Sequence, residues 1–258
     1  MTLDSSKFSS DRHAGASVLV TGSASGIGLG IVDRFLAEGA NVCGFDLLET
    51  PREGVLSIMG DATDEAAFQD AVDRAVAAHS GIDVMVCNAG VIAVEPVVDM
   101  DFAEWRRVMD ININSVFLGS RAAARAMIAQ GRGGVIINAS SGAGRRGVPN
   151  LSHYCASKAA ILMLTQSLAI ELAPHKIRAN CYVPGHIETP FWSGIAEGFS
   201  RVTGQTTEDV IEGFRQTVPW GRFGTVGDVA AAVSWLASPD AEYVSGQAIA
   251  MNGAEFPF

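Results

Sequence analysis

Short apolar runs alternate with helix-length amphipathic segments along almost the whole chain, and this alternation constrains the fold more than any other feature. The apolar runs are rich in valine and isoleucine, which is typical of strands covered by helices on both faces. They lie at residues 17–21, 41–46, 55–60, 84–88, 134–139, 177–183 and 247–251. Helical patterns lie between them at residues 27–38, 65–79, 103–130, 154–172 and 226–237. This order predicts an α/β fold, a doubly wound parallel sheet of about seven strands with helices on both faces.

One domain accounts for the pattern. The chain has 258 residues, of which 48% are hydrophobic and 18% charged, enough to fill a single large core. Residues 1–15 are polar and precede the first strand, so we predict a flexible tail there. The domain then covers residues 16–258, and residues 187–223, which break the alternating rhythm, are predicted to form a small helical lid over the substrate.

Charge and cysteine content narrow the class of protein. The net charge is −10 and the isoelectric point is about 4.9, so the basic surface of a nucleic-acid-binding protein is missing. An acidic surface also disfavours an anionic membrane, and we expect no membrane-spanning segment. The cysteines have irregular spacing, which predicts buried reduced thiols rather than disulfides or a zinc site. Without a visible targeting segment, the expected location is the cytoplasm.

A glycine-rich turn joins the first strand to the first helix. Its sequence is TGSASGIG at residues 21–28. Gly22 permits a tight turn, Gly26 allows a pyrophosphate to approach the backbone, and Gly28 allows close packing of helix and sheet. The helix then presents free N–H groups to phosphates. Because the spacing G-x-x-x-G-x-G is a modest signal by itself, an ordinary glycine-rich turn stays open as the alternative.

Asp46 ends the second predicted strand, where dinucleotide-binding folds place an acid on the adenosine ribose. A carboxylate there accepts hydrogen bonds from both ribose hydroxyls and repels a 2′-phosphate, which favours NAD over NADP. Ser25, Leu47 and Leu48 supply none of the positive charge that a 2′-phosphate needs. The alternative is that Asp46 is only a residue of the turn that ends the strand.

Further polar groups follow the third and fourth strands, at Asp61-Ala62 and Asn88-Ala89-Gly90. Ligands of open α/β sheets bind at the carboxyl ends of the strands. The predicted cofactor-binding residues in this half of the chain are therefore Gly22, Ser25, Gly26, Ile27, Gly28, Asp46, Leu47, Asp61, Ala62, Asn88, Ala89 and Gly90.

Tyr154 and Lys158 lie four residues apart at the start of a predicted helix and therefore share one face. A neighbouring ammonium group favours the phenolate and lowers the tyrosine pKa toward the range useful for acid–base catalysis. Ser141 ends the fifth strand, so its hydroxyl lies at the same edge of the sheet. Taken alone, the Y-x-x-x-K pattern is equally compatible with a partly buried tyrosine beside a chance lysine.

Several motifs in this order resemble the short-chain dehydrogenase/reductase family over roughly residues 17–253. They are TGSASGIG at 21–28, Asp61, NAG at 88–90, Asn112 in MDIN, Ser141, YCASK at 154–158 and PGHIET at 184–189. The resemblance implies a Rossmann-like fold and hydride transfer between NAD and a secondary alcohol or its ketone. It also implies a small-molecule substrate, no catalytic metal and a homotetramer with residues 103–130 and 154–172 at one interface.

The resemblance also implies roles for individual residues. Tyr154 would exchange a proton with the substrate oxygen, and Ser141 would hydrogen-bond that oxygen. Lys158 would lower the tyrosine pKa and bind the nicotinamide ribose, while Asn112 would hold a water that links Lys158 to solvent. The residues implied to contact the nicotinamide end of the cofactor are Tyr154, Lys158, Pro184, Gly185, Ile187 and Thr189.

The predicted substrate-binding residues are Ser141, Gly142, Tyr154, His186 and Trp192. The lid resembles those of polyol, sugar-alcohol and diol dehydrogenases, whereas the chain end at residues 251–254 departs from the common VDGG. His153 is interpreted as a surface or pocket-rim residue, and Arg145-Arg146 as a solvated pair in a loop. Two alternatives stay open: an NADPH-dependent carbonyl or 3-ketoacyl reductase, and a dinucleotide-sensing protein without catalysis.

Overall fold

Seven parallel strands form one sheet in the computed structural model, which describes residues 10–256. The strands are β1 (Ser17–Thr21), β2 (Asn41–Asp46), β3 (Val55–Met59), β4 (Val84–Cys87), β5 (Gly134–Ala139), β6 (Ile177–Pro184) and β7 (Ala248–Met251). Their order is β3-β2-β1-β4-β5-β6-β7, and every neighbouring pair is parallel. The predicted doubly wound sheet is confirmed.

Helices cover both faces of this sheet. They are α1 (Gly26–Ala37), α2 (Glu65–His79), α3 (Phe102–Met109), α4 (Ser115–Gln130), α5 (Ser152–Leu172), α6 (Phe191–Thr203), α7 (Thr207–Gln216) and α8 (Val226–Ala237). Helices α2, α4 and α5 bury one face around Phe68 and Met85, and α1 and α8 bury the other around Phe35. Because the chain runs outward in opposite directions from β1 and β4, a crevice opens at their carboxyl ends, where ligands of such sheets bind.

The prediction of a single helix over residues 103–130 is wrong, because the segment forms two helices. Helices α3 and α4 are separated by a π-helical turn at Asp110–Asn114, in which the Ser115 N–H donates to the Asp110 carbonyl. The wider turn places Asn112 in the interior, with no exposed surface. A continuous apolar period runs through the segment, so the pattern alone predicted an uninterrupted helix.

Helices α6 and α7 lie in the segment predicted to be a lid. They pack on each other and, through Phe199, Val210 and Phe214, against the body of the domain at Val94 and Leu151. The side chain of Thr206 caps α7 by accepting a hydrogen bond from the Asp209 N–H.

The predicted flexible tail does not extend over residues 10–15. His13 is only 5% exposed, and its ring Nε2 lies 3.1 Å from the Ser234 carbonyl oxygen. The His13 N–H also donates to the Glu38 carbonyl at 3.0 Å. These contacts fasten the segment to α1 and α8, while residues 1–9 lie outside the described part of the chain.

One segment, Ser152–His175, is long and apolar enough by length and composition to cross a membrane, with a mean hydropathy of 1.3. This was not expected from the sequence. Core helices of globular domains pass the same test, and Ile161, Ala169 and Leu172 on this segment belong to the sheet-covering core. The four cysteines carry free thiols, and Cys155 is the one that is partly exposed.

Candidate active site

A cleft of about 860 Å³ lies at the carboxyl ends of β1, β2 and β4. Most of the predicted cofactor-binding residues line it: Gly22, Ser25, Gly26, Ile27, Asp46, Leu47, Asp61, Ala62, Asn88, Ala89, Gly90, Tyr154, Lys158, Pro184 and Thr189. Gly28 lies behind the turn, and Gly185 and Ile187 line a neighbouring pocket instead. The cleft also contains Arg106, Arg107 and Asp110, which the sequence motifs did not indicate.

The glycine turn has the geometry that a pyrophosphate requires. Gly22 has φ +64°, and a methyl group on Gly28 would stand 1.9 Å from the Gly22 carbonyl oxygen, so the helix begins directly against the turn. Ser25 precedes α1 without donating or accepting a side-chain capping bond, and the first turn of α1 carries no acidic residue. Free N–H groups and a free hydroxyl therefore face the cleft, which fits a dinucleotide phosphate.

The Asp46 carboxylate is fixed by the backbone around it. Its Oδ2 accepts from the Ala24 N–H at 3.0 Å, and its Oδ1 accepts from the Leu48 N–H at 3.1 Å. Each carboxylate oxygen can accept further hydrogen bonds. The turn thus holds a negative charge at the ribose end of the cleft, with acceptor capacity left for a ligand.

Asn88 contributes mainly to the shape of the cleft. Its Nδ2 donates to the Thr21 and Gly22 carbonyls at 3.0 and 3.2 Å, and its Oδ1 accepts from the Tyr182 hydroxyl at 2.6 Å. Asn88 therefore ties the turn after β1 to β4 and β6. Asp61 likewise accepts from the Thr63 N–H and hydroxyl, both at 2.8 Å.

A second pocket of about 160 Å³ adjoins the cleft and shares Tyr154 and Pro184 with it. The predicted substrate-binding residues Ser141, Gly142, Tyr154, His186 and Trp192 all line it. Its walls are mostly apolar and include an aromatic cluster: His186 contacts Trp192 and Phe214, with ring centroids 5.0 Å apart in both pairs. The cleft and the pocket therefore meet at Tyr154.

Two hydrogen bonds clamp the end of β5 to α5. The Lys158 ammonium donates to the Ala139 carbonyl at 2.9 Å, and the Ser140 hydroxyl donates to the Lys158 carbonyl at 2.8 Å. The lysine is 4% exposed. Burial lowers the pKa of Lys158 to about 8, so the ammonium form still predominates at neutral pH.

Lys158 was predicted to lower the pKa of Tyr154, but in the protein without cofactor the pKa of Tyr154 is raised. Burial raises the pKa of Tyr154, and a hydrogen bond with Ser141 acts in the opposite direction without cancelling it. The Lys158 ammonium lies 5.6 Å from the centre of the tyrosine ring. Desolvation of the phenolate therefore outweighs the favourable interactions that the protein offers.

Asn112 lies beside these groups, but its amide is largely committed. Its Oδ1 accepts from the Val91 N–H at 2.8 Å, and its Nδ2 donates to the Val91 carbonyl at 2.9 Å and to Ser157 at 3.0 Å. A methyl group on Gly90 would stand 3.2 Å from this Oδ1 and 3.3 Å from the Lys158 ammonium. Both groups thus face the same small space, where Oδ1 has one lone pair left.

His153 is buried, which contradicts its interpretation as a surface or rim residue. Its side chain has no exposed surface, and neither ring nitrogen has a hydrogen-bond partner. Burial lowers its pKa, against a smaller opposing effect of Glu104. The residue packs beneath α3 because that helix lies across the start of α5, which the local pattern did not reveal.

The arginines after Ser141 were interpreted as a solvated pair; Arg146 is half-exposed, but both arginines have specific partners. Arg145 donates to the Ala248 carbonyl at 2.6 Å, and Arg146 donates to Glu255 at 3.0 Å while lying over the Phe256 ring. Glu255 and Phe256 both line the substrate pocket, which the sequence motifs missed. The predicted parallel sheet could have indicated this. The carboxyl end of β7 lies at the same edge of the sheet as the carboxyl ends of the other strands, so the residues after β7 lie near the pocket.

Comparisons with known proteins agree with this arrangement. A family model described as "Enoyl-(Acyl carrier protein) reductase" matches residues 22–253. A sorbitol dehydrogenase of Cereibacter sphaeroides is 34% identical over 253 residues, covering 95% of this chain and 99% of the relative. An L-2,3-butanediol dehydrogenase of Corynebacterium glutamicum is 34% identical, with 91% and 96% covered. The solved aldohexose dehydrogenase of Thermoplasma acidophilum superposes with a TM-score of 0.87 at 31% identity, with 96% of each chain covered.

The chain therefore belongs to the short-chain dehydrogenase/reductase family, whose dehydrogenases use a nicotinamide dinucleotide. The likeness covers nearly the full length of the chain.

The variant Gly28→Ala tests the fit of the turn. The added methyl group meets the Gly22 carbonyl, so we expect the unfolding free energy to fall by about 3 kcal/mol and NADH binding to be lost. Gly213→Ala is the matched control, since nothing lies within 4 Å of its added methyl group on α7. Denaturant unfolding and fluorescence titration measure both, and wild-type NADH affinity and stability in Gly28→Ala would contradict the assignment.

Proposed function

We propose that the protein is an NAD(H)-dependent dehydrogenase that interconverts a secondary alcohol of a polyol, sugar alcohol or diol and the corresponding ketone. The family and its named relatives make it an oxidoreductase acting on CH–OH groups. The observation that carries the finer proposal is the meeting of Tyr154, Ser141 and Lys158 at the junction of the cleft with the substrate pocket.

The substrate hydroxyl would lie against Ser141 and Tyr154, which line the same pocket. During oxidation the phenolate oxygen of Tyr154 takes the hydroxyl proton, and Ser141 holds the same oxygen in place. The cleft would hold NAD⁺, which when bound would supply a hydride acceptor and a positive charge near the phenol. That charge favours the phenolate and thereby opposes the effect of burial on the Tyr154 pKa.

Lys158 adds a second positive charge and reaches the cleft, where a ribose hydroxyl can bind. Its tie to the Ala139 carbonyl fixes the turn of α5 that carries Tyr154. Asn112 has a positioning role, since its amide joins the Val91 backbone to Ser157 on α5. Its Oδ1 keeps one lone pair, which can bind a proton-relay water beside Lys158.

The preference for NAD rests on Asp46. Its carboxylate is held by two backbone N–H groups, that of Ala24 in the turn after β1 and that of Leu48 in the turn after β2, so it cannot easily move away from a 2′-phosphate. Arg107 of the same cleft is committed to Glu104 through two hydrogen bonds of 2.8 and 2.7 Å. The charge nearest the ribose is therefore negative, which favours a free 2′-hydroxyl.

A homotetramer is part of the proposal. Helices α4 and α5 leave apolar side chains in solvent, namely Phe117, Ile128, Met163 and Ile170. An exposed apolar face on two adjacent long helices supports burial against another copy of the chain.

The replacement Tyr154→Phe removes the proton acceptor and keeps the ring. We expect NADH affinity close to that of the wild type and kcat reduced by about a hundredfold or more. Tyr243→Phe is the control, because Tyr243 is fully exposed and distant from both pockets. An active Tyr154→Phe enzyme would refute the assignment of the base.

Asp46→Asn keeps the size of the side chain and removes its charge. The ratio of kcat/KM with NAD to kcat/KM with NADP should fall by about tenfold or more, because the 2′-phosphate is no longer repelled. Asp99→Asn, on an exposed loop, should leave the ratio unchanged. Tighter binding of NADPH than NADH by the wild type would favour the alternative carbonyl reductase.

Sedimentation velocity tests the assembly. We expect a species of roughly four times the 27.0 kDa chain mass. Replacing Met163 and Ile170 together by lysine should dissociate it, since charges would then face the apolar contact. A monomer at micromolar concentration of the wild type would contradict this part of the proposal.

A further inference from the structure

The chain end after β7 folds into the substrate pocket. The Gly185 N–H donates to the Met251 carbonyl at 2.9 Å, and a methyl group on Gly185 would stand 2.8 Å from Cβ of Asn252. The Phe256 ring packs flat on Gly142, where a methyl group would stand 2.1 Å from it. Glu255 is thereby carried between the turn after β6 and the loop after β5.

Three segments donate hydrogen bonds to one oxygen of Glu255. Its Oε1 accepts from Arg146 at 3.0 Å, from Nε2 of His186 at 3.0 Å and from the Thr217 hydroxyl at 3.3 Å. Because a carboxylate only accepts, His186 carries its proton on Nε2 in this arrangement. The carboxylate thus joins the β5–α5 loop, the β6–α6 turn and the end of the lid.

The other oxygen of Glu255 is buried without any partner. The side chain is 2% exposed, and Oε2 makes no hydrogen bond with any residue in 10–256. An unpaired buried acceptor on a charged group is costly, so such an atom needs a specific reason to persist. Glu255 lines the same pocket as Ser141 and Tyr154, where most of the other walls are apolar.

We propose that Glu255 determines substrate specificity by accepting a hydrogen bond from a second hydroxyl group of a neutral polyol or diol, beyond the carbon that is oxidised. This inference rests on the proposed dehydrogenase function.

The charges around Glu255 select a neutral donor. Arg146 already balances the carboxylate, so an ammonium group in the pocket would be repelled by the arginine without a free countercharge. A carboxylate or a thioester carbonyl would present an acceptor to an acceptor, which is unfavourable. A hydroxyl group supplies the missing proton and adds no charge.

The test compares kcat/KM for NADH formation from 2,3-butanediol, sorbitol and 2-butanol. The first and last share a carbon skeleton and differ by one hydroxyl. In the wild type we expect the diol or the hexitol to exceed 2-butanol by at least about tenfold, because a site built to bind a hydroxyl rejects the analogue that lacks it. In Glu255→Gln this preference should shrink by about tenfold.

Glu212→Gln provides the matched control. Glu212 lies on the outer surface of α7 and pairs with Arg215, so its replacement should preserve the substrate preference. If Glu255→Gln lowers kcat/KM for the diol, hexitol and monoalcohol by the same factor, Glu255 is only a structural brace and the proposal is overturned.

If Glu255→Gln does not fold, measurements on the wild type can still overturn the proposal. Equal kcat/KM for 2,3-butanediol, sorbitol and 2-butanol overturns the specificity role and leaves the dehydrogenase function intact. Preference for 3-amino-2-butanol over the diol overturns the choice of a hydroxyl donor. Absence of NADH formation from every alcohol, with tight NADH binding, overturns the proposed function itself.

Discussion

The position of Tyr154 depends on the two hydrogen bonds that clamp α5 to the end of β5. Ser140 donates to the Lys158 carbonyl, and the Lys158 ammonium donates back to the Ala139 carbonyl. Because the lysine is buried, each bond forms out of contact with competing water. The clamp sets the first turns of α5 beside the loop that begins at Ser141, so the two hydroxyl groups meet where the cofactor cleft opens into the substrate pocket.

The cleft is more polar than the adjoining pocket, and the chain end after β7 forms part of the pocket wall. The cleft is lined by backbone N–H groups, Asp46 and small residues, which suit a phosphate and a ribose. The pocket is mostly apolar, with Arg146, His186 and Glu255 as its charged or polar cluster beyond the hydroxyl groups of Ser141 and Tyr154. The departure of the chain end from VDGG therefore has a structural consequence, since the segment following it supplies Glu255 and Phe256 to the pocket wall.

Sequence patterns predicted the sheet and the residues of the cleft because these depend on local period and on short motifs at strand ends. Features that depend on three-dimensional neighbours escaped prediction. The π-helical turn at Asn112 leaves the apolar period intact, and the burial of His153 and His13 is imposed by segments distant in sequence. The Tyr154 pKa was predicted from one neighbour, Lys158, whereas desolvation of the phenol by burial has the larger effect.

The central claim is that this site oxidises a neutral secondary alcohol with NAD⁺. The most direct measurement compares two reactions of the wild-type protein: NADH formation from a panel of polyols and diols, and NADPH oxidation with 3-ketoacyl thioesters. We expect NADH formation from at least one polyol or diol, with little activity in the second reaction. Thioester reduction with NADPH and no NADH formation from any secondary alcohol would contradict the account.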